Sequence, residues 1–200
     1  MVRRRPLMGQ KISLEFNSSY QVVFLGLENA GKSTCLYRLK TEQYVQTAPT
    51  IGFNCEKFKS PKGRSKGCTY TVWDVGGQEK LRPLWRSYIR HTDAVAFIVD
   101  STDSERLEEA KLELANLLRS SDLPPAVPLL LLVNKQDLPE ALPPAEVGRL
   151  VGFADLGPAH PSLTVPCCAV NGEGLDNFFD DLHDLIVQSK KLDKGKKRSK

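Results

Sequence analysis

The 200-residue chain predicts an α/β fold, a six-stranded, mostly parallel sheet with helices on both faces. Two observations predict it. Short apolar runs alternate with segments of helical periodicity along most of the length. Several of these runs are continuously apolar, as strands covered on both faces must be. The length and the ordinary balance of 40% apolar and 26% charged residues suit one compact domain.

The elements follow in order. QVVFL, residues 21–25, is the first strand. It runs through a glycine loop into the helical pattern KSTCLYRLK. NCEKFK and TYTVWD flank SPKGRSKG, residues 60–67, which reads as the basic, solvated loop of a hairpin. AVAFIVD, residues 94–100, is a buried strand. In the helix STDSERLEEAKLELANLLRS, Thr102 and Glu105 fit a capping box, and Leu107, Leu114, Leu117 and Leu118 form one apolar face. VPLLLLVNK is the next strand. PEALPPAEVGRLVGFADLGPAHPS is broken by Pro and Gly into loops around a short helix. LTVPCCAV is the sixth strand. GLDNFFDDLHDLIVQSKK is a last amphipathic helix, with Leu175, Phe178, Phe179, Leu182, Leu185 and Ile186 facing inward. The expected organisation is an N-terminal segment over 1–19, a folded domain over 20–188 and a basic flexible tail over 189–200.

Charge is unevenly placed. The last twelve residues, SKKLDKGKKRSK, carry +6, and residues 1–11 add four basic side chains. Residues 12–188 are left with 17 basic against 23 acidic side chains, a net charge of −6. An acidic body disfavours a nucleic-acid-binding face and makes the termini the electrostatic contacts, with an anionic membrane surface as their expected partner. No run approaches the ~20 apolar residues of a membrane span, and the start lacks the apolar core of a secretory signal. Cys35, Cys55, Cys68, Cys167 and Cys168 show neither a CxxC pair nor metal-ligand spacing, which favours reduced thiols and a cytoplasmic protein.

Three motifs carry chemistry. GLENAGKS, residues 26–33, satisfies G-x-x-x-x-G-K-[ST] directly after a strand and at the start of a helix. Gly26 and Gly31 let the backbone curl, so that N–H groups of Leu27, Glu28, Asn29, Ala30 and the residues up to Thr34 can face phosphate oxygens. Lys32 supplies a cation for the β- and γ-phosphates, and the Ser33 hydroxyl is an expected Mg²⁺ ligand. In VWDVGGQEK, Asp74 ends a strand and can hold the Mg²⁺ shell through water. Gly77 can offer its N–H to the γ-phosphate, and Gln78 can orient an attacking water. In NKQD, Asp137 can accept from the N1–H and exocyclic amine of guanine, a donor pair adenine lacks. Asn134 braces that loop, the Lys135 stem lies over the base, and Ala169 completes the pocket through its backbone N–H. Together the motifs point to GTP and GDP over ATP.

These motifs, in this order, resemble a small GTPase, a P-loop NTPase with a small-G-domain fold. GLENAGKST, PTIGFN, WDVGGQEKLRPLW and NKQDLP are together similar to the ADP-ribosylation factor family, over residues 21 to about 188. The long loop SPKGRSKG and the basic tail resemble its ADP-ribosylation-factor-like members that end in a polybasic segment. The resemblance implies that Thr50 joins Mg²⁺ and the γ-phosphate in the GTP state. It also implies that Phe53, Trp73 and Tyr88 face effectors, and that the hairpin over 54–73 shifts register between nucleotide states and expels the N-terminal segment. Exchange factors, activating proteins and effectors are the implied partners of a monomer. No arginine stands evidently placed to act in cis, so slow hydrolysis aided by an activating protein is expected, with Gln78 and Lys32 as the catalytic side chains. The alternatives are an adaptor that holds GTP without cycling, disfavoured by Gln78 and Thr50, and an ATP-using P-loop kinase, disfavoured by NKQD.

MGQKIS, from Met8, matches M-G-x-x-x-[ST]. Translation from Met8 would expose Gly9 to myristoylation, as members of this family generally are. Translation from Met1 would leave Arg3, Arg4 and Arg5 as a weaker electrostatic contact. One acyl chain binds a membrane marginally, and the basic tail could supply the second signal. Reversible attachment to the plasma membrane or an endomembrane follows, and the tail could alternatively act as a nuclear address.

Overall fold

The computed structural model describes residues 17–198. The stretch with Met8 and Gly9, and Arg3 to Arg5, lie outside the described residues. The sheet is built from β1 (Ser19–Leu25), β2 (Phe53–Lys59), β3 (Thr69–Val75), β4 (Ala94–Asp100), β5 (Leu129–Asn134) and β6 (Ser162–Pro166), in the order β2-β3-β1-β4-β5-β6. β2 pairs antiparallel with β3, and the other neighbours pair in parallel. The helices are α1 (Lys32–Thr41), α2 (Trp85–Ile89), α3 (Leu107–Arg119), α4 (Pro144–Leu150) and α5 (Phe178–Arg198). Glu79–Leu84 forms a 3₁₀ turn before α2.

The continuous apolar runs fill two cores. Side chains alternate along a strand, so Val22 and Phe24 of β1 enter one core with Leu36, Phe178, Leu182 and Ile186. Val23 and Leu25 enter the other with Phe97, Leu114 and Leu117. Leu129, Leu130, Leu131 and Leu132 of β5 are all fully buried, each contributing about 1.5–3 kcal/mol over an exposed leucine. Parallel register then does the functional work. Phe24 lies beside Asp74 and Asp100 beside Asn134, so the loops after β1, β3, β5 and β6 open along one edge of the sheet, where open α/β sheets take ligands.

Three local features differ from the sequence reading. Thr102 does not cap a helix. Its N–H and hydroxyl both bond to Asp100 Oδ1, at 3.0 and 2.7 Å, and a 3₁₀ turn over Ser104–Arg106 precedes α3. The carboxylate two residues upstream outcompetes the helix for that hydroxyl. The loop over 60–67 is solvated at Pro61, Lys62, Gly63, Arg64 and Lys66, as read, but it is docked at Ser65. Ser65 is 1% exposed, and its N–H and hydroxyl donate to Asp180 Oδ1 on α5 at 2.8 and 2.6 Å. Arg64 pairs with Asp184 at 2.8 Å. Burial opposes the Asp180 charge, yet the Ser65 and backbone bonds and the Arg64 charge outweigh it and hold the carboxyl below its usual range. The third difference is the length of α5, which continues through most of the stretch read as a basic tail. Lysine and arginine are good helix formers, and their charge suits a helix C-terminus.

Candidate functional site

Between the strand ends lies an open pocket of about 460 Å³. One end is the loop from β1 to α1. Gly31 there has φ 91°, and a Cβ at that position would strike the Asn134 side chain, so glycine alone fits. Lys32 is buried, and its Nζ donates to the carbonyls of Gly26 and Leu27 at 2.9 and 2.7 Å. Burial lowers its pKa to about 8 against the opposing pull of Asp74 and Glu28. A bound polyanion favours the protonated amine. Nucleotide affinity is therefore expected to hold below pH 8 and to weaken as pH rises above it, by up to about tenfold per unit. Fluorescent-nucleotide titrations between pH 7 and 9.5 check this.

Beyond Lys32, three elements meet. Ser33 Oγ lies 2.7 Å from Thr50 Oγ1 and donates to Asp74 Oδ2 at 2.5 Å, and Asn54 Nδ2 donates to the same oxygen at 3.0 Å. Asp74 is fully buried, and its Oδ1 has no hydrogen-bond partner. Burial raises the carboxyl pKa against the bonds from Ser33 and Asn54. A buried carboxylate oxygen without a donor, beside two hydroxyls, is the donor set of a hard divalent cation. The residues present fit Mg²⁺ held by Ser33 and Thr50, with Asp74 behind.

At the opposite end, Asn134 is buried and donates from Nδ2 to Ala30 O at 2.8 Å, tying the NKQD segment to the glycine loop. Ala169 N–H, expected to face a base, donates to Asn134 Oδ1 at 3.0 Å. Lys135 Nζ pairs with Asp100 at 2.5 Å, which extends its stem along the pocket wall. Asp137 also lines the pocket. Of the expected residues, Glu28, Asn29, Gly31, Lys32, Ser33, Thr34, Thr50, Gly77, Gln78, Asn134, Lys135, Asp137 and Ala169 line it directly. Gly26, Leu27, Ala30 and Asp74 stand behind them.

Gly77 packs flat on the glycine loop, and a Cβ on it would fall onto Gly26 O, Glu28 N and Leu27 C. Gln78 follows at the pocket rim and starts the 3₁₀ turn. Two side chains behind this turn, Arg82 and Trp85, lie in the RPLW stretch, where the sequence alone assigns them no role of their own. Arg82 donates from Nε to Gly77 O at 2.9 Å, from Nη1 to Glu113 at 3.0 Å and from Nη2 to Glu109 at 2.7 Å, and it reaches Glu28 at 3.5 Å. Trp85 Nε1 donates to Gly76 O at 3.0 Å. Tyr44 and Thr47 of the pocket wall were missed as well; no local pattern marks them.

Phe53, Trp73 and Tyr88 form one aromatic cluster with ring centres 5.4–5.8 Å apart. Trp73 and Tyr88 pack against the core, whereas Phe53 is 48% exposed. Core packing and surface exposure therefore coexist in the trio.

The model of the ADP-ribosylation factor family matches residues 8–186. The chain is 50% identical to human ADP-ribosylation factor-like protein 4D over 88% of either chain. It is 49% identical to human ADP-ribosylation factor-like protein 4C, over 90% of this chain and 93% of that one. With mouse ADP-ribosylation factor-like protein 4A it shares 46% identity over 94% of each. The fold is similar to that of the Arl6 BBS3 small GTPase from Trypanosoma brucei with bound nucleotide analogue GppNp, with a TM-score of 0.75 and 32% identity over 86% of this chain and 99% of that one.

Proposed function

The chain belongs to the ADP-ribosylation factor family, and from that premise we propose that it is a switch cycling between GDP and GTP, hydrolysing GTP slowly until an activating protein assists. The observation that carries this is the meeting of Ser33, Thr50 and Asp74, whose Oδ2 accepts from Ser33 while its buried Oδ1 has no partner. Thr50 belongs to the segment before β2. Its presence at the phosphate end links that segment's position to a triphosphate.

Each residue then has a task. Lys32 and the backbone N–H groups of the glycine loop neutralise and orient the phosphates. Ser33 and Thr50 would hold Mg²⁺ directly and Asp74 through water. When bound, the ion supplies positive charge to the β- and γ-phosphate oxygens. Gly77 N–H faces the γ-phosphate, and Gln78 orients the attacking water. Asp137 selects guanine. Arg82 is the arginine nearest the turn, and its Nε, Nη1 and Nη2 are already engaged within the fold. A partner's arginine is worth roughly 10³–10⁵ in rate in such enzymes, which supports dependence on an activating protein.

Phe53, Trp73 and Tyr88 present the effector surface in this reading, and an exchange factor reloads the nucleotide of a monomeric protein. The basic C-terminal stretch holds an anionic membrane at about 1 kcal/mol per basic residue near the surface, joined by a myristoyl group on Gly9 where translation starts at Met8. Among the described residues no helix is long and apolar enough to cross a membrane.

Competition against a fluorescent guanine nucleotide tests the proposal. GDP and GTP should displace the probe, and ATP should not; displacement by ATP at equal concentration would sink the reading. Gln78→Leu is expected to slow single-turnover hydrolysis about 10²-fold, the scale of losing reactant orientation, with nucleotide affinity retained.

A further inference from the structure

Gly76 and Gly77 are adjacent glycines, the pair with the widest backbone freedom available to a chain. Left alone, their peptide planes would rotate among many orientations. Both planes are pinned from behind. Trp85 Nε1 donates to Gly76 O at 3.0 Å, and Arg82 Nε donates to Gly77 O at 2.9 Å.

In a planar trans peptide the C=O and N–H point in opposite directions. Fixing Gly76 O therefore aims the N–H of Gly77 away from Trp85. Fixing Gly77 O aims the N–H of Gln78 away from Arg82. Gly77 and Gln78 both line the pocket, and Gly77 is pressed against Gly26, Leu27 and Glu28 without room for a Cβ.

The pins are themselves held in place by packing and ion pairs. Trp85 is buried and meets Phe97 of β4 edge-on at 6.4 Å. Arg82 is 8% exposed, with its guanidinium spread over Glu109 and Glu113 of α3 and over Glu28 of the glycine loop. Arg106 brackets the same group by bonding Glu28 at 2.6 Å and Glu109 at 2.8 Å. A buried cation among carboxylates is poor economy for stability alone, since apolar residues often fill such space at equal or lower free energy. Here its remaining bond holds a carbonyl at the pocket's edge.

We propose that Arg82 and Trp85 are positioning residues for the turn that senses the γ-phosphate: they hold the two amides flanking Gly77 in the orientation a triphosphate requires. Arg82 also ties that turn to the glycine loop through Glu28. The proposal rests on the GTP-switch reading. A diphosphate lacks the group this turn addresses, so the effect falls on GTP and spares GDP.

Arg82→Lys keeps the charge and loses the fork. Trp85→Phe keeps an aromatic ring and loses the N–H. Arg90→Ala is the control, removing an exposed guanidinium that pairs with Asp122. Dissociation constants for GDP and GppNp, the melting temperature of the GDP form and the single-turnover hydrolysis rate are measured on the full chain. Each positioning variant is expected to weaken GppNp by about tenfold, the scale of losing one buried hydrogen bond. GDP affinity should stay within about twofold, hydrolysis should slow, and the control should match wild type. An unchanged GppNp-to-GDP ratio overturns the proposal, and so does equal loss of both nucleotides together with a lower melting temperature. Should Arg82→Lys fail to fold, Glu113→Gln loosens the guanidinium alone, and the ratio must still move the same way. A wild-type protein that binds ATP as well as GTP refutes the switch reading itself, a result separate from any variant's behaviour.

Discussion

Gly77→Ala is expected to leave GDP binding nearly intact while weakening GppNp by about 10- to 100-fold. The reason is steric. The added methyl group would occupy the positions of Gly26 O, Glu28 N and Leu27 C, all of them backbone atoms. A flexible side chain could move aside, but this loop cannot, because Lys32 and Asn134 bond to its carbonyls. The turn over 76–78 must therefore lift away, carrying the Gly77 N–H and Gln78 out of reach of a γ-phosphate. Overpacking of this kind costs about 1–3 kcal/mol. Titration of both nucleotides measures it, and a parallel loss of GDP would show that the glycine serves folding rather than discrimination.

Asp74→Asn is expected to remove the dependence of nucleotide retention on Mg²⁺. The carboxylate divides its work. Oδ2 accepts from Ser33 and Asn54, while Oδ1 accepts nothing from the protein. An asparagine can keep its oxygen on the Ser33 side, but its NH₂ then replaces Oδ1 and turns two donors toward the cation's water shell. Loss of a group acting through water costs about 10- to 100-fold in metal affinity. Dissociation of a fluorescent nucleotide in Mg²⁺ should then resemble dissociation in EDTA. A variant that still releases nucleotide much more slowly in Mg²⁺ would show that Asp74 does not support the ion.

The sequence made much of this site legible because the pocket lining comes from short stretches tied to strand ends. GLENAGKS, Asp74 and NKQD are read locally, and parallel strand order brings them to one edge. Residues that work from behind were harder to see. No local pattern marks Arg82, and its role depends on Glu109 and Glu113, which lie 27 and 31 residues further along the chain. Thr102 misled for the opposite reason: its spacing to Glu105 fits a capping box, but Asp100 was the nearer partner. The docked loop was illegible because Ser65 and Asp180 are 115 residues apart. A run of lysine, glycine and serine gives no sign of the carboxylates that neutralise it.

That docking has a mechanical consequence. β2 and β3 form a hairpin held at both ends, by Asp180 at the loop and by Thr50, Asn54 and Asp74 at the pocket. β3 alternates half-buried and buried positions, so the hairpin could slip only in steps of two residues, since one step would invert every side chain. Two residues of travel are about 6.6 Å, far beyond the reach of the Ser65 hydrogen bonds. Any such slide would first have to unhook the loop from α5, which puts the catch of the hairpin at the end remote from Ser33 and Asp74.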